Sequence, residues 1–314
     1  MLTVLMATHN GASTLPMVLE AYCRLKSVAR GWKLVIVNNA SSDGTQDIIE
    51  SFAQRLSLTC IFEGRKGKNA ALNTGLAHIE GDLAVLTDDD AVPRPDWLVQ
   101  LRQAADAQPC FAMFAGAIVP RWEVNPDPWI LSWVPLHPTY ALTDPSWEEG
   151  PITPRCICGP NSAYRTEIFK AGYKFDPTIG PSGANYAMGS ESEFNVRLMK
   201  AGFTSWYCKY AIVEHIVRKA QMKREWVLRR AFRSGRGDFR VEIRDTLTSP
   251  NLFLGIPKYF LREIMTQSCL VAKAAIKGDR RDFFVERWQL NFLFGRAFEA
   301  RATYRIRSPR SPLR

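Results

Sequence analysis

From Leu2 to Ala107 the chain alternates between two hydrophobic periods. The runs LTVLMA, LVIVNN, LTCIFEG and DLAVLT are short and continuously apolar, as in buried strands, whereas TQDIIESFAQRL, NAALNTGLAHI and PDWLVQLRQAADA place apolar residues at helical spacing. Strand and helix take turns, which predicts an α/β fold with a mostly parallel central sheet. Sheets of this kind bind ligands beyond the carboxyl ends of their strands, and the polar clusters THNG, NNASSDG and TDDDA fall at those ends. One sheet edge is expected to gather all three.

The texture changes between Pro120 and Pro154. Eight of the 19 prolines and four of the nine tryptophans (Trp122, Trp129, Trp133 and Trp147) crowd into this stretch, which excludes a long regular element there. Its indoles serve either as packing for an irregular connection or as a wall for a sugar, lipid or glycan. A helix follows from about Glu191 to Ala201, then the strand TSWYCKYAIVEH, then basic amphipathic helices over 216–314. Ile256, Phe260, Ile264, Val271 and Ala275 recur near helical spacing, and Gly278 is placed to end that helix. FFVERWQLNFLFGRAF supplies a second apolar helix edged by Arg287, Arg296 and Arg301.

Composition narrows the class. A chain of 314 residues, 46% of them hydrophobic, can bury a large core. Seven scattered cysteines argue against a disulfide framework. No apolar stretch reaches the roughly 18 residues needed to cross a bilayer, and the start MLTVLMATHNG lacks a basic region or cleavage site for export, so cytoplasmic synthesis is expected. The net charge of +10 is lopsided: from His215 onward there are 23 Lys and Arg against nine Asp and Glu, and before it 18 against 22. The basic half suits a nucleotide diphosphate, an anionic bilayer or nucleic acid. It lacks zinc-finger spacing, an RNP-like strand and a helix-turn-helix signal, so no nucleic acid is expected.

Chemistry enters with Asp88, Asp89 and Asp90. Three like charges at a strand end raise one another's pKa unless a cation offsets them. The D-x-D arrangement of hard oxygen ligands suits Mn²⁺ or Mg²⁺ shared with a phosphorylated substrate. A second carboxylate pair lies in GSESEFNVRL: Ser190 and Glu193 have the spacing of a capping box, leaving Glu191 in the first helical turn, where the helix dipole favours an ionised base. Asp43 reads as the N-cap of the helix after SSDGT. Among the interleaved cations and aromatics of RKAQMKREWVLRRAFRSGRGDFR, the residues Arg229, Arg230, Arg233 and Arg236 are candidates for a diphosphate contact.

Six pieces, VLMATHNG, VIVNNASSDGT, GKNAALNTGL, GDLAVLTDDDAVPRPDWL, CGPNSAYR and GSESEFNVRLMKAGF, occur in the order found in the inverting family 2 glycosyltransferases of GT-A fold, and the chain resembles that family from about Leu2 to His215. The resemblance implies a catalytic domain over 1–215, with a donor half to about 119 and an acceptor half over 120–215. It implies a nucleotide-sugar donor, a UDP-sugar first, a divalent ion, and a hydroxyl acceptor on a glycan or lipid carrier in polysaccharide assembly. By this likeness Thr8, His9 and Asn10 lie against the nucleotide, Asn38 stands where an Asp usually reads the base, and Lys68 lies near the diphosphate. Asp90 becomes a direct metal ligand with His215, Asp88 or Asp89 faces the ribose or metal-bound water, and Glu191 takes the base position usually held by Asp. Asn161 and Glu193, in the last two pieces, become acceptor or diphosphate contacts. A sugar-phosphate nucleotidyltransferase would also be α/β with acidic metal ligands, but MATHNGAST is not its glycine-rich phosphate loop. The C-terminal helices, which the family core does not need, are expected to pack on the catalytic domain or a second copy of the chain, or to rest on the cytoplasmic face of a membrane.

Overall fold

Continuous Leu, Val and Ile runs bounded by Gly, Asn and Asp leave the first ninety residues little choice but strands buried on both faces. The computed structural model of the chain describes residues 1–183, 186–243 and 251–307. In chain order its strands are β1 (Leu2–Thr8), β2 (Trp32–Asn38), β3 (Leu58–Phe62), β4 (Leu83–Asp88), β5 (Ala91–Pro93), β6 (Met113–Trp122), β7 (Gly150–Pro151), β8 (Ser162–Arg165), β9 (Ser205–Val217), β10 (Leu252–Phe253) and β11 (Ile256–Pro257). The helices are α1 (Leu15–Tyr22), α2 (Thr45–Ser51), α3 (Lys68–Leu76), α4 (Trp97–Ala107), α5 (Pro128–Trp133), α6 (Leu136–Tyr140), α7 (Thr166–Lys170), α8 (Ser190–Lys200), α9 (Arg224–Ile243), α10 (Lys258–Lys277) and α11 (Arg280–Arg307).

Two units share these elements. The first, Met1–Glu123 with Tyr140–Asn185 and Ser190–Val217, holds a nine-stranded sheet of order β3-β2-β1-β4-β8-β6-β9-β5, with β7 paired to β9. β1 lies parallel to β2 and β4, β2 parallel to β3, and β6 parallel to β9, whereas β8, β5 and β7 run against their neighbours. The sheet is thus mostly parallel, as the alternating pattern predicts. Register matters more than order for the chemistry. Thr8 lies opposite Asn38, Ala7 opposite Asp88, and Ala91 opposite His215, so three polar loops and the end of β9 arrive at one edge. A core that includes Leu5, Val35, Val37, Leu86, Phe194 and Leu198 supports that edge from below.

Where β6 pairs with β9, the register slips between Gly116 and Ala117, whose partners are Cys208 and Ile212. Asn161 fills the slip. Its amide donates to the carbonyls of Ala117 and Ala211, both at 2.8 Å, and accepts the Trp97 indole N–H at 2.8 Å. The side chain is wholly buried, so its expected role as an acceptor contact is replaced by a structural one: it satisfies carbonyls that the slipped ladder leaves unpaired.

The second unit comprises Val124–Thr139, Tyr186–Gly189 and Arg218–Arg314. The segments 124–139 and 186–189, which the sequence assigns to the catalytic domain, therefore belong with the C-terminal helices. Aromatic burial explains the first of these. Trp129 and Trp133 pack on Phe284 of α11, with the Arg224 guanidinium over both indoles. In the first unit Trp122 meets Tyr140 and Trp147 meets Tyr207 edge to face, so packing accounts for all four indoles of the proline-rich stretch.

Within the second unit α9 and α11 cross at glycines. A Cβ on Gly235 would lie 1.9 Å from the Phe292 carbonyl oxygen, and one on Gly295 would lie 2.0 Å from that of Phe232. Phe239, Phe260, Ala297 and Ala300 form the local core, and Gly278 ends α10 in the left-handed conformation, as its position predicts. Glu299 is buried there and is held by Arg236 at 2.7 Å and Arg240 at 2.6 Å. This corrects the expectation for Arg236. Its guanidinium, itself buried, neutralises Glu299 and is not presented to a ligand.

Because backbone meets backbone at the α9/α11 crossing, Gly235→Ala is expected to destabilise the chain by about 2–3 kcal/mol, the scale of overpacking a tight contact. Chemical denaturation of the two forms measures this, and an unchanged midpoint would contradict the crossing.

Candidate active site

Each carboxylate of the TDDDA cluster has its own partner from a different element. Asp88, the last residue of β4, meets Lys68 Nζ at 2.5 Å. Asp89 accepts a hydrogen bond from Thr8 Oγ1 at 2.5 Å, and Asp90 lies 3.4 Å from His215 Nε2. Lys68 also reaches Glu191 Oε1, at 2.8 Å, and so joins the end of β4 to the first turn of α8. These partners are why three adjacent acids are tolerated.

The electrostatics follow from burial set against pairing. Burial opposes the charge on Lys68, but Asp88 and Glu191 outweigh it and raise the ammonium pKa. Burial likewise favours a neutral Glu191, yet the Lys68 charge and hydrogen bond bring its pKa below the ordinary 4.5. Asp88 is pushed up by burial and by its neighbours Asp90 and Glu191, against the pull of Lys68. His215 is raised, its burial overcome by Asp90. With all groups ionised, four carboxylates (Asp88, Asp89, Asp90 and Glu191) face two cations (Lys68 and His215). The site is electronegative.

The donor set suits a divalent ion. His215 Nδ1 sits 2.8 Å from the Tyr140 carbonyl, which can only accept, so this nitrogen carries the proton and Nε2 is turned to Asp90. Carboxylate oxygen plus imidazole nitrogen matches Mn²⁺, and Mg²⁺ through the oxygen. Among the described residues no group of three or more His, Cys, Asp or Glu forms a metal cage. Two protein donors leave the other positions for water and phosphate oxygens, the usual arrangement where an ion is shared with a phosphorylated substrate.

Loops after β1 and β2 brace this edge. His9 and Asn10 are exposed on the first loop, where His9 Nδ1 lies 2.7 Å from the Asn39 carbonyl and Asn10 Oδ1 accepts from Ser42 N at 2.8 Å. Gly11 must be glycine: a Cβ there would fall 2.4 Å from Thr8 Oγ1 and 2.7 Å from Asp89 Oδ2. Asn38, expected to read a base, is turned inward. Its amide donates to Gln46 Oε1 at 2.8 Å and accepts from Ser41 N at 3.1 Å, which shapes the turn before α2. Asp43 accepts from Thr45 N and Oγ1 and from Ala12 N one residue ahead of the actual N-cap, Gly44.

Glu193 is also reassigned. It is buried and paired with Arg197 at 2.6 Å along α8, and Ser190 lies inside the helix, so Glu193 anchors its own helix and does not face a ligand. Arg229, Arg230 and Arg233 lie in the second unit. Arg229 is exposed, Arg230 lies over the Trp226 ring at 5.9 Å, and Arg233 lies over the Tyr186 ring at 4.7 Å. Two contributors escaped sequence reasoning. Asn39 donates to the carbonyls of Glu63 and Arg65 and accepts from Gly67 N at 2.8 Å, which fixes the approach to Lys68. A Cβ on Gly159 would lie 2.3 Å from Glu191 Oε1 and 2.8 Å from Lys68 Nζ, so the GPN turn must stay bare to admit their pair. The NN doublet and the GPN triplet were the available signals.

The family model described as glycosyl transferase family 2 matches residues 3–172. The chain is 23% identical over 212 residues to the succinoglycan biosynthesis protein ExoM of Rhizobium meliloti, covering 65% of this chain and 62% of that protein. It is 24% identical over 214 residues to the glucosyl-dolichyl phosphate glucuronosyltransferase of Haloferax volcanii, covering 65% of each. The chain therefore spans somewhat under two thirds of these relatives' lengths. Among solved structures, the mannosyltransferase PcManGT from Pyrobaculum calidifontis in complex with GDP-Man and Mn²⁺ superposes with a TM-score of 0.58 at 21% identity, covering 98% of this chain and 75% of that one. S. aureus TarS 1–349 in complex with UDP superposes at 0.52 and 13%, covering 98% and 92%. These likenesses establish a GT-A-type fold.

The segment that Asn39 holds carries its own pH dependence. Glu63, buried, accepts from the Arg65 side chain, from Thr74 Oγ1 and from Arg65 N, and these bonds lower its pKa from the ordinary 4.5 to about 2. The native state binds the carboxylate, so this stabilisation is complete above pH 4.5 and is lost as pH falls toward 2. Glu63→Gln should flatten the fall in unfolding free energy across that window. Parallel profiles for the two proteins would contradict the assignment.

Proposed function

The chain belongs to glycosyl transferase family 2, and from that premise we propose that it transfers a sugar from a nucleotide-diphosphate donor to a hydroxyl of a glycan or lipid-linked acceptor, with inversion at the anomeric carbon. The observation that carries this reading is the Lys68 bridge, which puts the donor-side carboxylate Asp88 and the carboxylate Glu191 on either side of one half-buried ammonium. A donor sugar and an acceptor hydroxyl need two such functions side by side.

Asp90 and His215 are the residues that would hold Mn²⁺ or Mg²⁺. When bound there, the ion offsets the charge of the donor diphosphate as it leaves. Thr8 orients Asp89 toward the ribose, and the exposed His9 and Asn10 line the nucleotide. Glu191, kept ionised by Lys68, accepts the acceptor proton while the acceptor oxygen bonds to the anomeric carbon and the bond to the diphosphate oxygen breaks. One displacement from the opposite face inverts the centre. A UDP-sugar is the first donor class to test, in line with the UDP carried by one solved neighbour, and GDP-mannose is the second, in line with the other. The names of two relatives, one of succinoglycan biosynthesis and one acting on a dolichyl phosphate sugar, support a glycan or lipid-linked acceptor. Among the described residues no helix is long and apolar enough to cross a membrane.

Two variants separate binding from chemistry. Asp90→Ala should abolish Mn²⁺-dependent binding of UDP while the fold survives, because it relieves carboxylate repulsion and opens no core cavity. Glu191→Gln should keep UDP affinity near wild type and lower turnover by at least ~100-fold, the usual cost of losing a general base. Calorimetric titration and a donor-consumption assay distinguish them. Undiminished Mn²⁺-dependent affinity in the first, or turnover within a few-fold of wild type in the second, would refute the assigned roles.

A further inference from the structure

The hairpin that precedes α10 exposes what a soluble surface usually hides. Leu252, Phe253 and Leu254 follow one another at its tip and are 36%, 56% and 70% exposed. Its two turn residues, Leu254 and Gly255, both have positive φ, 52° and 78°. Such turns favour Asn, Asp or Gly, and a leucine there costs backbone strain while most of its surface stays exposed. A bulky apolar residue held outward at that cost suggests a role outside the fold.

The next helix carries exposed apolar residues of its own. Lys258 N donates to the Asn251 carbonyl at 2.9 Å, so the hairpin ends on the first turn of α10. Along α10, Phe260 and Ala274 are buried and Ile264 packs beside them against α9 and α11. Met265, Cys269, Ala272 and Ile276 instead recur at i, i+4, i+7 and i+11 and are exposed, Met265 at 69% and Ile276 at 87%. Lys258, Arg262, Lys273 and Lys277 are exposed on the same helix, with Glu263 its single acidic residue. Of the face that the sequence suggested for membrane contact, Phe260 is buried, Ile256, Ile264 and Val271 are half-buried and Ala275 is exposed, so packing takes up part of it. The outer stripe is a second face.

We propose that the β10–β11 tip and the outer stripe of α10 dock on an anionic bilayer, the tip entering the interface and the four cations meeting phosphate headgroups. Three side chains of a short hairpin and one narrow stripe do not make the roughly 800 Å² per partner of a stable protein interface. They do suit a fluid surface that closes around them, and the +14 balance of the chain from His215 onward, 23 cations against nine anions, favours a negative one.

This inference concerns the second unit alone and does not depend on the transfer reaction: vesicle binding and turnover are separate measurements, and either can fail without the other. The test is flotation of the full chain with vesicles of phosphatidylcholine alone or mixed with phosphatidylglycerol, at low and high salt. Binding is expected to the mixed vesicles at low salt, weaker at high salt and weaker to phosphatidylcholine. Leu252→Ser, Phe253→Ser and Leu254→Asn combined should reduce apparent affinity by at least ~10-fold, while the melting temperature holds or rises because Asn suits the turn. Lys258→Gln, Arg262→Gln and Lys273→Gln combined should remove the preference for phosphatidylglycerol. Absence of wild-type binding to mixed vesicles at low salt, wild-type-like binding by the tip variant, or a tip variant that only converts a dimer to monomers would each overturn the proposal.

Discussion

A single half-buried ammonium holds the candidate active site together. Lys68 stands between Asp88 and Glu191, residues from the end of a strand and the start of a helix, and without it burial would drive both acids toward the neutral form. Taking a lysine out of water is costly, and only two carboxylates at hydrogen-bond distance make it tolerable. Other features of the edge serve this contact. Gly159 is bare where a side chain would collide with the pair, and Asn39 pins the backbone of Gly67 just before the lysine.

Sheet register supplies the remaining geometry. Pairing Thr8 with Asn38 and Ala7 with Asp88 sets Thr8 beside Asp89, and pairing Ala91 with His215 sets an imidazole beside Asp90. A slip of one residue in β5 or β9 would turn His215 to the other face of the sheet. Asn161, plugging the irregular β6/β9 ladder, protects that register from a position out of contact with solvent. The placement of His215 beside Asp90 at one sheet edge thus depends on an amide buried within the sheet.

Much of this was legible in the sequence, for physical reasons. Continuous apolar runs ending in polar clusters announce parallel strands and the edge where their loops meet, and three adjacent acids announce a need for compensating partners, which Lys68, Thr8 and His215 meet. Gly278 announced the end of α10. What the pattern could not carry is pairing across long separations. Lys68 and Glu191 are 123 residues apart, and nothing local to either predicts the other. Asn38 and Asn161 looked like ligand contacts because amides suit both ligands and unpaired backbone, and only the surroundings decide between the two. Glu193 fits a capping box in sequence, but Arg197 one turn along offers a charged partner, and burial favours the ion pair. The proline-rich indoles split between two units, a partition that composition does not encode.

If Lys68 is what keeps the base ionised, the pH profile of kcat/KM for Lys68→Met tests the account most directly. In the wild type the pKa of Glu191 lies below 4.5, so the acid limb should fall below that value. Methionine keeps the bulk and removes the charge, leaving burial unopposed, so the base pKa rises and activity is lost as pH falls at distinctly higher pH. An acid limb that moves upward in the variant, with residual turnover at alkaline pH, is the predicted result. A limb that stays in place would contradict the bridge as the origin of the base's charge.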